Sequence, residues 1–122
     1  MSMGIETRLS EQIARYVDLA ASEAKLTATN MANIDTPGYQ AVGMDFGVEM
    51  RDAMRRVDEG KTARTPRLTH PEGLVARPDG NNVSMDRESL NLAEEQLRFR
   101  TGVALLKGQY QAIFDAIHVQ DK

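Results

Sequence analysis

From Ile5 to Asn33 the apolar residues Leu9, Ile13, Tyr16, Val17, Ala20, Ala24, Ala28 and Met31 return at steps of three or four, the spacing that gathers them on one face of an α-helix. Leu19 and Leu26 widen that stripe onto a second face, and neither Gly nor Pro interrupts it. The pattern predicts one helix of about 29 residues, roughly 40 Å long at about 1.5 Å per residue. A helix of that length points to a bundle or coiled coil rather than to a compact domain.

A second long helix is predicted to begin near Ser84 or Asp86, either of which can cap the first turn, with Glu88 where a helix N-terminus favours negative charge. Leu92, Phe99, Leu106 and Ile113 repeat every seven residues, and Gln96, Val103, Tyr110 and Ile117 repeat every seven at an offset of four. This is an a/d seam, read most simply as the core of an antiparallel helical hairpin. Leu90, Ala93, Leu97, Ala104, Leu105, Ala112 and Ala116 add a second apolar strip beside it. One partner helix cannot cover both strips, so an intermolecular partner is implied.

Between the helices, Pro66, Pro71 and Pro78 exclude a long helix from the second half of the segment Gly43 to Asn82. The spacing of Phe46, Met50, Ala53, Met54 and Val57 allows a short amphipathic helix first. The expected fold is therefore all-α: two long N- and C-terminal helices packed as an antiparallel hairpin or coiled coil, joined by a partly irregular middle. As one structural domain it divides into residues 1–42, a flexible middle at 43–82, and 83–122. No internal repeat is present.

The first helix runs into Thr27 to Ala41, "TATNMANIDTPGYQA". Asn30 and Asn33 lie three apart, so on a helix their amides face nearly the same way. Asparagine is a poor mid-helix residue, but at a helix end its amide can satisfy free carbonyls or hold the turn that follows. Pro37 has no amide hydrogen and Gly38 accepts positive φ, so Thr36, Pro37, Gly38 and Tyr39 suit a tight turn from which Tyr39 folds back on the apolar face. The stretch is either a helix stop or a turn locked by two amides at a subunit contact.

Composition removes several chemistries. The 122 residues match one domain, and 41% hydrophobic content allows a core, in one chain or shared between chains. With no cysteine there is neither a disulfide framework nor a thiolate site, and the two histidines, His70 and His118, are far apart. No run of about 18 apolar residues occurs, and the N-terminus does not resemble a cleavable signal peptide. An enzyme would have to use His70, Glu72 and Asp79 without a positioned nucleophile. Asp79 and Gly80 are adjacent, which does not fit an EF-hand, and no cofactor or metal site is expected. Residues 51–77 carry 7 basic and 4 acidic side chains between acidic flanks, but the charges are mixed and no aromatic interleaves them. Nucleic acid is not expected as a partner.

The stretch "ATNMANIDTPGYQA" closely resembles the signature near the N-terminus of bacterial flagellar rod and hook proteins. "DGNNVSMDRESLNLAEEQLRFRTGVALLKGQYQAIFDAI", Asp79 to Ile117, is similar to the C-terminal segment of the family's small proximal-rod member, and "RTPRLTH", Arg64 to His70, to a Thr-and-His segment of that member. The resemblance covers most of the chain, more weakly from Asp45 to Ala63. It implies a structural, non-enzymatic subunit, exported unfolded through the flagellar type III apparatus without a cleaved signal, that polymerises into the hollow periplasmic rod of the basal body. Its partners would be copies of itself, other rod proteins, the junction protein between membrane ring and rod, and the export gate, with no small-molecule substrate. Asn30, Asn33, Thr36, Pro37, Gly38 and Tyr39 would form the turn after the inner helix, and Asn81, Asn82, Val83 and Asp86 the entry to the C-terminal helix. Interior Gly102 and Gly108 each weaken that helix by about 1 kcal/mol relative to alanine, and either permit close approach of a neighbour or mark local fraying. The alternative from another class is a soluble helical-hairpin adaptor or chaperone of a type III export system.

Overall fold

The computed structural model describes residues 2–120. Met1 and residues 121–122, the outermost parts of the expected segments, lie outside the described residues. Three helices follow in order: α1, Ser2–Ala32, α2, Phe46–Asp58, and α3, Met85–Gln120. No strand is formed among the described residues, and the only bridge there pairs Gly43 with Thr69 antiparallel. The all-α hairpin expected from the apolar periodicity is what the chain adopts. No described helix is long and apolar enough to cross a membrane.

Each helix boundary has a local cause. Asp45 caps α2, its carboxylate accepting from Val48 N at 3.0 Å. The helix closes with Lys61 N donating to Arg56 O at 2.8 Å and Gly60 N to Val57 O at 3.0 Å, with Gly60 at φ 69°. That pair of bonds is a Schellman motif, which satisfies two carbonyls a helix end leaves free. Ser84, rather than Asp86, caps α3: its hydroxyl accepts from Arg87 N at 3.4 Å and its carbonyl from Glu88 N at 2.9 Å.

Helix α1 is the axis of the domain. One side faces α2, where Tyr16 and Phe46 meet edge to face with ring centroids 5.5 Å apart, and Leu19 is buried. The other side faces α3 in antiparallel register: Asn30 meets Glu88, Thr27 meets Glu95, Glu23 meets Arg98, and Val17 meets Gly102. The residues of α3 at the centre of this contact, Glu88, Glu95 and Gly102, are themselves seven apart and all buried. The predicted apolar seam is thus split. Leu92 and Ile113 lie beside the contact, lining clefts with Ala20 and with Ser10 respectively, while Gln96, Tyr110 and Ile117 are exposed. No described residue of α3 beyond Gly102 is buried.

The middle segment is irregular after α2 but has specific anchors. Buried Glu49 accepts from Arg67 Nε at 2.9 Å and from Arg64 Nη2 at 3.3 Å, and Arg64 also pairs with Asp52 at 3.0 Å. Gly43 and Thr69 exchange backbone bonds of 2.8 and 2.7 Å, and His70 Nδ1 lies 3.1 Å from Ala41 O. The stretch from Arg64 to His70 therefore straps the segment to α2 and to the exit of α1.

The two interior glycines differ. A Cβ at Gly102 would lie 2.6 Å from Val17 Cγ2 and 2.9 Å from Tyr16 Cδ1, whereas nothing lies within 4 Å of one at Gly108. The close approach at Gly102 is to the chain's own first helix. Gly102→Ala should destabilise the monomer, because overpacking costs about 1–3 kcal/mol against a helix gain of about 1. Gly108→Ala should stabilise it by about 0.5–1 kcal/mol. Urea denaturation of both variants checks this, and equal effects would contradict the packing described.

Candidate functional site

Where α1 ends, its last carbonyls and the following chain need partners, and the asparagines supply them. Asn30 is 2% exposed and makes four hydrogen bonds. Its Nδ2 donates to Val42 O at 2.8 Å and to Glu88 Oε2 at 3.1 Å; its Oδ1 accepts from Val42 N and from the Tyr39 hydroxyl, each at 2.9 Å. The amide thus pairs with both backbone groups of Val42 as a neighbouring strand would, and its full donor and acceptor capacity is used. Burial, and then the charge of Glu88, raises the Tyr39 pKa, which keeps the hydroxyl a donor.

Asn33 acts separately. Its Nδ2 donates to Thr29 O at 2.8 Å and its Oδ1 accepts from Thr36 Oγ1 at 3.0 Å, so it closes the helix end locally. The Thr36 to Tyr39 turn follows, with Tyr39 N donating to Thr36 O at 3.2 Å and Gly38 at φ 74°. Pro37 at the second position and a positive-φ glycine at the third are what a type II turn requires.

The turn is held from the far side of the sequence. Asn81, 0% exposed, donates through Nδ2 to Asn33 O at 2.8 Å and Thr36 O at 2.9 Å, and its Oδ1 accepts from Val83 N at 2.8 Å. Asn82 Oδ1 accepts from Ala41 N at 2.7 Å, and its Nδ2 donates to Gln40 Oε1 at 2.9 Å. Gly38 N donates to Asp79 O at 2.8 Å, and a Cβ on Gly80 would stand 3.4 Å from Gly38 Cα, so the two turns touch through their backbones. Arg77 ties the same region together by donating to Val83 O at 2.9 Å and to Ile34 O. Buried Ala41, Met44 and Val83 fill the space beneath.

The sequence-selected residues Asn30, Asn33, Thr36, Gly38, Tyr39, Asn81, Asn82 and Val83 thus converge into one clasp, with Pro37 in the exposed turn. Asp86 is exposed in the first turn of α3, where its charge faces the positive helix end. Leu92, Phe99, Val103, Leu106, Tyr110, Ile113 and Ile117 lie outside the clasp, along α3. Periodicity did not single out Glu88 as the partner of Asn30, nor Thr27 and Glu95, because polar residues add nothing to an apolar stripe. Their signal was the seven-residue spacing from Glu88 to Glu95 to Gly102.

Because Asn30 and Asn81 are buried and fully bonded, truncating either leaves backbone groups without partners. Asn30→Ala and Asn81→Ala should each cost the monomer about 2–4 kcal/mol, and half-buried Asn33→Ala about 1 kcal/mol or less. Urea denaturation gives the order, and a loss at Asn33 as large as at Asn81 would contradict it.

No protein-family model matches the chain. Among curated proteins, it is 33% identical over 119 residues to the flagellar basal body rod protein FlgB of Salmonella typhimurium, covering 83% of this chain and 86% of that protein. It is 32% identical over 118 residues to FlgB of Cereibacter sphaeroides, covering 85% of this chain and 89% of the relative. Against FlgB of Escherichia coli the identity is 28%, with 83% and 86% covered. With that identity across nearly the full length of both chains, the protein belongs to the FlgB family of flagellar basal body rod proteins.

Proposed function

We propose that this chain is a structural subunit of the proximal part of the flagellar basal-body rod, the hollow shaft that carries torque from the membrane ring to the hook. The observation that carries the proposal is on α3. Leu90, Leu97, Leu105, Phe114 and Val119 are each more than half exposed, along a helix whose second half has no fully buried residue among those described. Leu90, Leu97, Leu105 and Val119 share one face of the helix at helical spacing, and exposed apolar surface of this kind is a mark of an interaction face. In the rod, copies of the chain and other rod proteins would cover it, together with the outward half of the seam, Val103, Tyr110 and Ile117.

The clasp supports the same reading from the other end. Asn30 and Asn81 fix the angle at which the chain leaves α1, so the exposed turn at Thr36, Pro37 and Gly38 is presented in one geometry to a neighbouring subunit. On this reading the membrane-ring junction protein and the export gate are further partners. The subunit reaches the periplasmic rod through the type III apparatus. The relatives are rod proteins, which does not favour the adaptor alternative.

Leu97 and Leu105 are 67% and 54% exposed, so a charge at either should leave monomer stability within about 0.5 kcal/mol. Leu97→Asp and Leu105→Asp subunits should be made and secreted, yet cells should not swim and their basal bodies should end at the membrane ring. Electron microscopy of purified basal bodies reads this directly. Normal rods containing either variant would overturn the assignment of this face to assembly.

A further inference from the structure

Glu95 lies at the middle of the contact between α1 and α3, and its side chain is 2% exposed. Among the described residues no guanidinium or ammonium forms a salt bridge with it, and Arg98 acts on it only at longer range. The Thr27 hydroxyl donates to its carboxyl, 2.8 Å from Oε2 and closer to Oε1. One hydroxyl proton serves one oxygen at a time, so an ionised Glu95 is a nearly buried acceptor with most of its capacity unmet by protein groups. A protonated Glu95 gains a donor of its own and loses the charge. The guanidinium one turn along, that of Arg98, is already engaged: its Nη1 is 2.6 Å from Glu23 Oε1, and it stands 4.5 Å over the Phe46 ring.

The balance of surrounding charge acts in the same direction. A cleft of about 530 Å³ opens beside Glu95 between α1, α3 and the middle segment. It is lined by Glu23 from α1, by Glu88, Glu94, Arg87 and Arg98 from α3, and by Asp45 from the connection. Carboxylates outnumber guanidiniums there, and the two nearest along the seam, Glu23 and Glu88, flank Glu95 on the helix faces that meet.

We propose that Glu95 is a proton-operated latch between the two long helices: protonated, it sits neutral against Thr27 and the seam stays closed, and ionised, its charge in a site without a paired cation loosens the seam. The latch is a property of the folded monomer and stands apart from the rod assignment. Burial pushes the Glu95 carboxyl up to about 7, helped by the charges of Glu23 and Glu88 and opposed by the Thr27 hydroxyl and, least, by the charge of Arg98. The folded chain then holds a proton that the unfolded chain has released. The latch's contribution is complete below the ordinary value of 4.5, declines as pH rises from there, and is gone above about 7.

Thermal unfolding of the wild type and of Glu95→Gln, from about pH 5 to pH 8, separates this from any other titration. The two histidines are common to both proteins, so the difference between the curves belongs to Glu95. The wild-type midpoint should fall across that range relative to the variant, which keeps a neutral side chain of the same shape and should exceed wild type by several degrees at the alkaline end. Thr27→Val removes the one donor to the ionised form and should move the wild-type transition to higher pH; Glu23→Gln should move it lower. Should Glu95→Gln not fold, ¹³C NMR of glutamate side-chain carboxyls in the wild type must find one titrating near 7. A wild-type curve parallel to that of Glu95→Gln, or all glutamates titrating in the ordinary carboxylate range, overturns the proposal.

Discussion

A long helix that ends inside its own domain leaves carbonyls that water cannot reach, and every one must find a donor. Here the amide of Asn81 meets that need, reaching 45 residues or more back along the chain to Asn33 O and Thr36 O. The geometry of everything at this end depends on that contact. It fixes the turn in which Gly38 has positive φ, the turn aims Tyr39 at Asn30, and Asn30 in turn pairs with Val42 and with Glu88 of α3. The start of the hairpin is therefore specified by side-chain amides rather than by apolar packing.

That choice has a structural consequence. The buried apolar residues described are few, Leu19, Ala20, Ala41, Met44, Val57 and Val83, and all but Val57 serve the clasp end or the middle of α1. Away from it, α1 and α3 meet along Thr27, Glu95, Glu23, Arg98 and Gly102, a contact dominated by polar and small residues. Large apolar side chains are instead spread over the outer surface of α3. A chain that leaves its large apolar side chains on an outer helix face has that surface free for association, as expected of a member of a family of rod proteins.

Much of this was legible in the sequence. Apolar spacing marked the three helices to within a few residues, because burial against α1 imposes a 3.6-residue period on whatever packs there. Thr36 to Tyr39 was readable as a turn because proline and glycine carry their backbone preferences with them. The direction of the heptad seam was not readable: a stripe shows that a face is apolar but not whether its partner lies in the same chain. So Leu92, Ile113 and, more than half exposed, Tyr110 border α1, while Ile117 of the same seam stays exposed. Nor could spacing separate Gly102 from Gly108, since only the position of Val17 and Tyr16 makes the first a close approach. The pairing of Asn30 with Val42, and of Asn81 with the end of α1, depends on which polar groups burial brings together, and polar residues leave no periodic trace.

The central claim is that the clasp is complete in the single subunit while the outer half of the hairpin is completed by neighbours. Amide hydrogen exchange, compared between dilute monomer and assembled rods, tests it most directly. The amides of Gly38, Ala41, Val42 and Val83 should be protected already in the monomer, and those of α3 beyond Gly102 should exchange fast there and become protected on assembly. Uniform protection along α3 in the dilute monomer, or a clasp that gains protection only in the rod, would contradict the account.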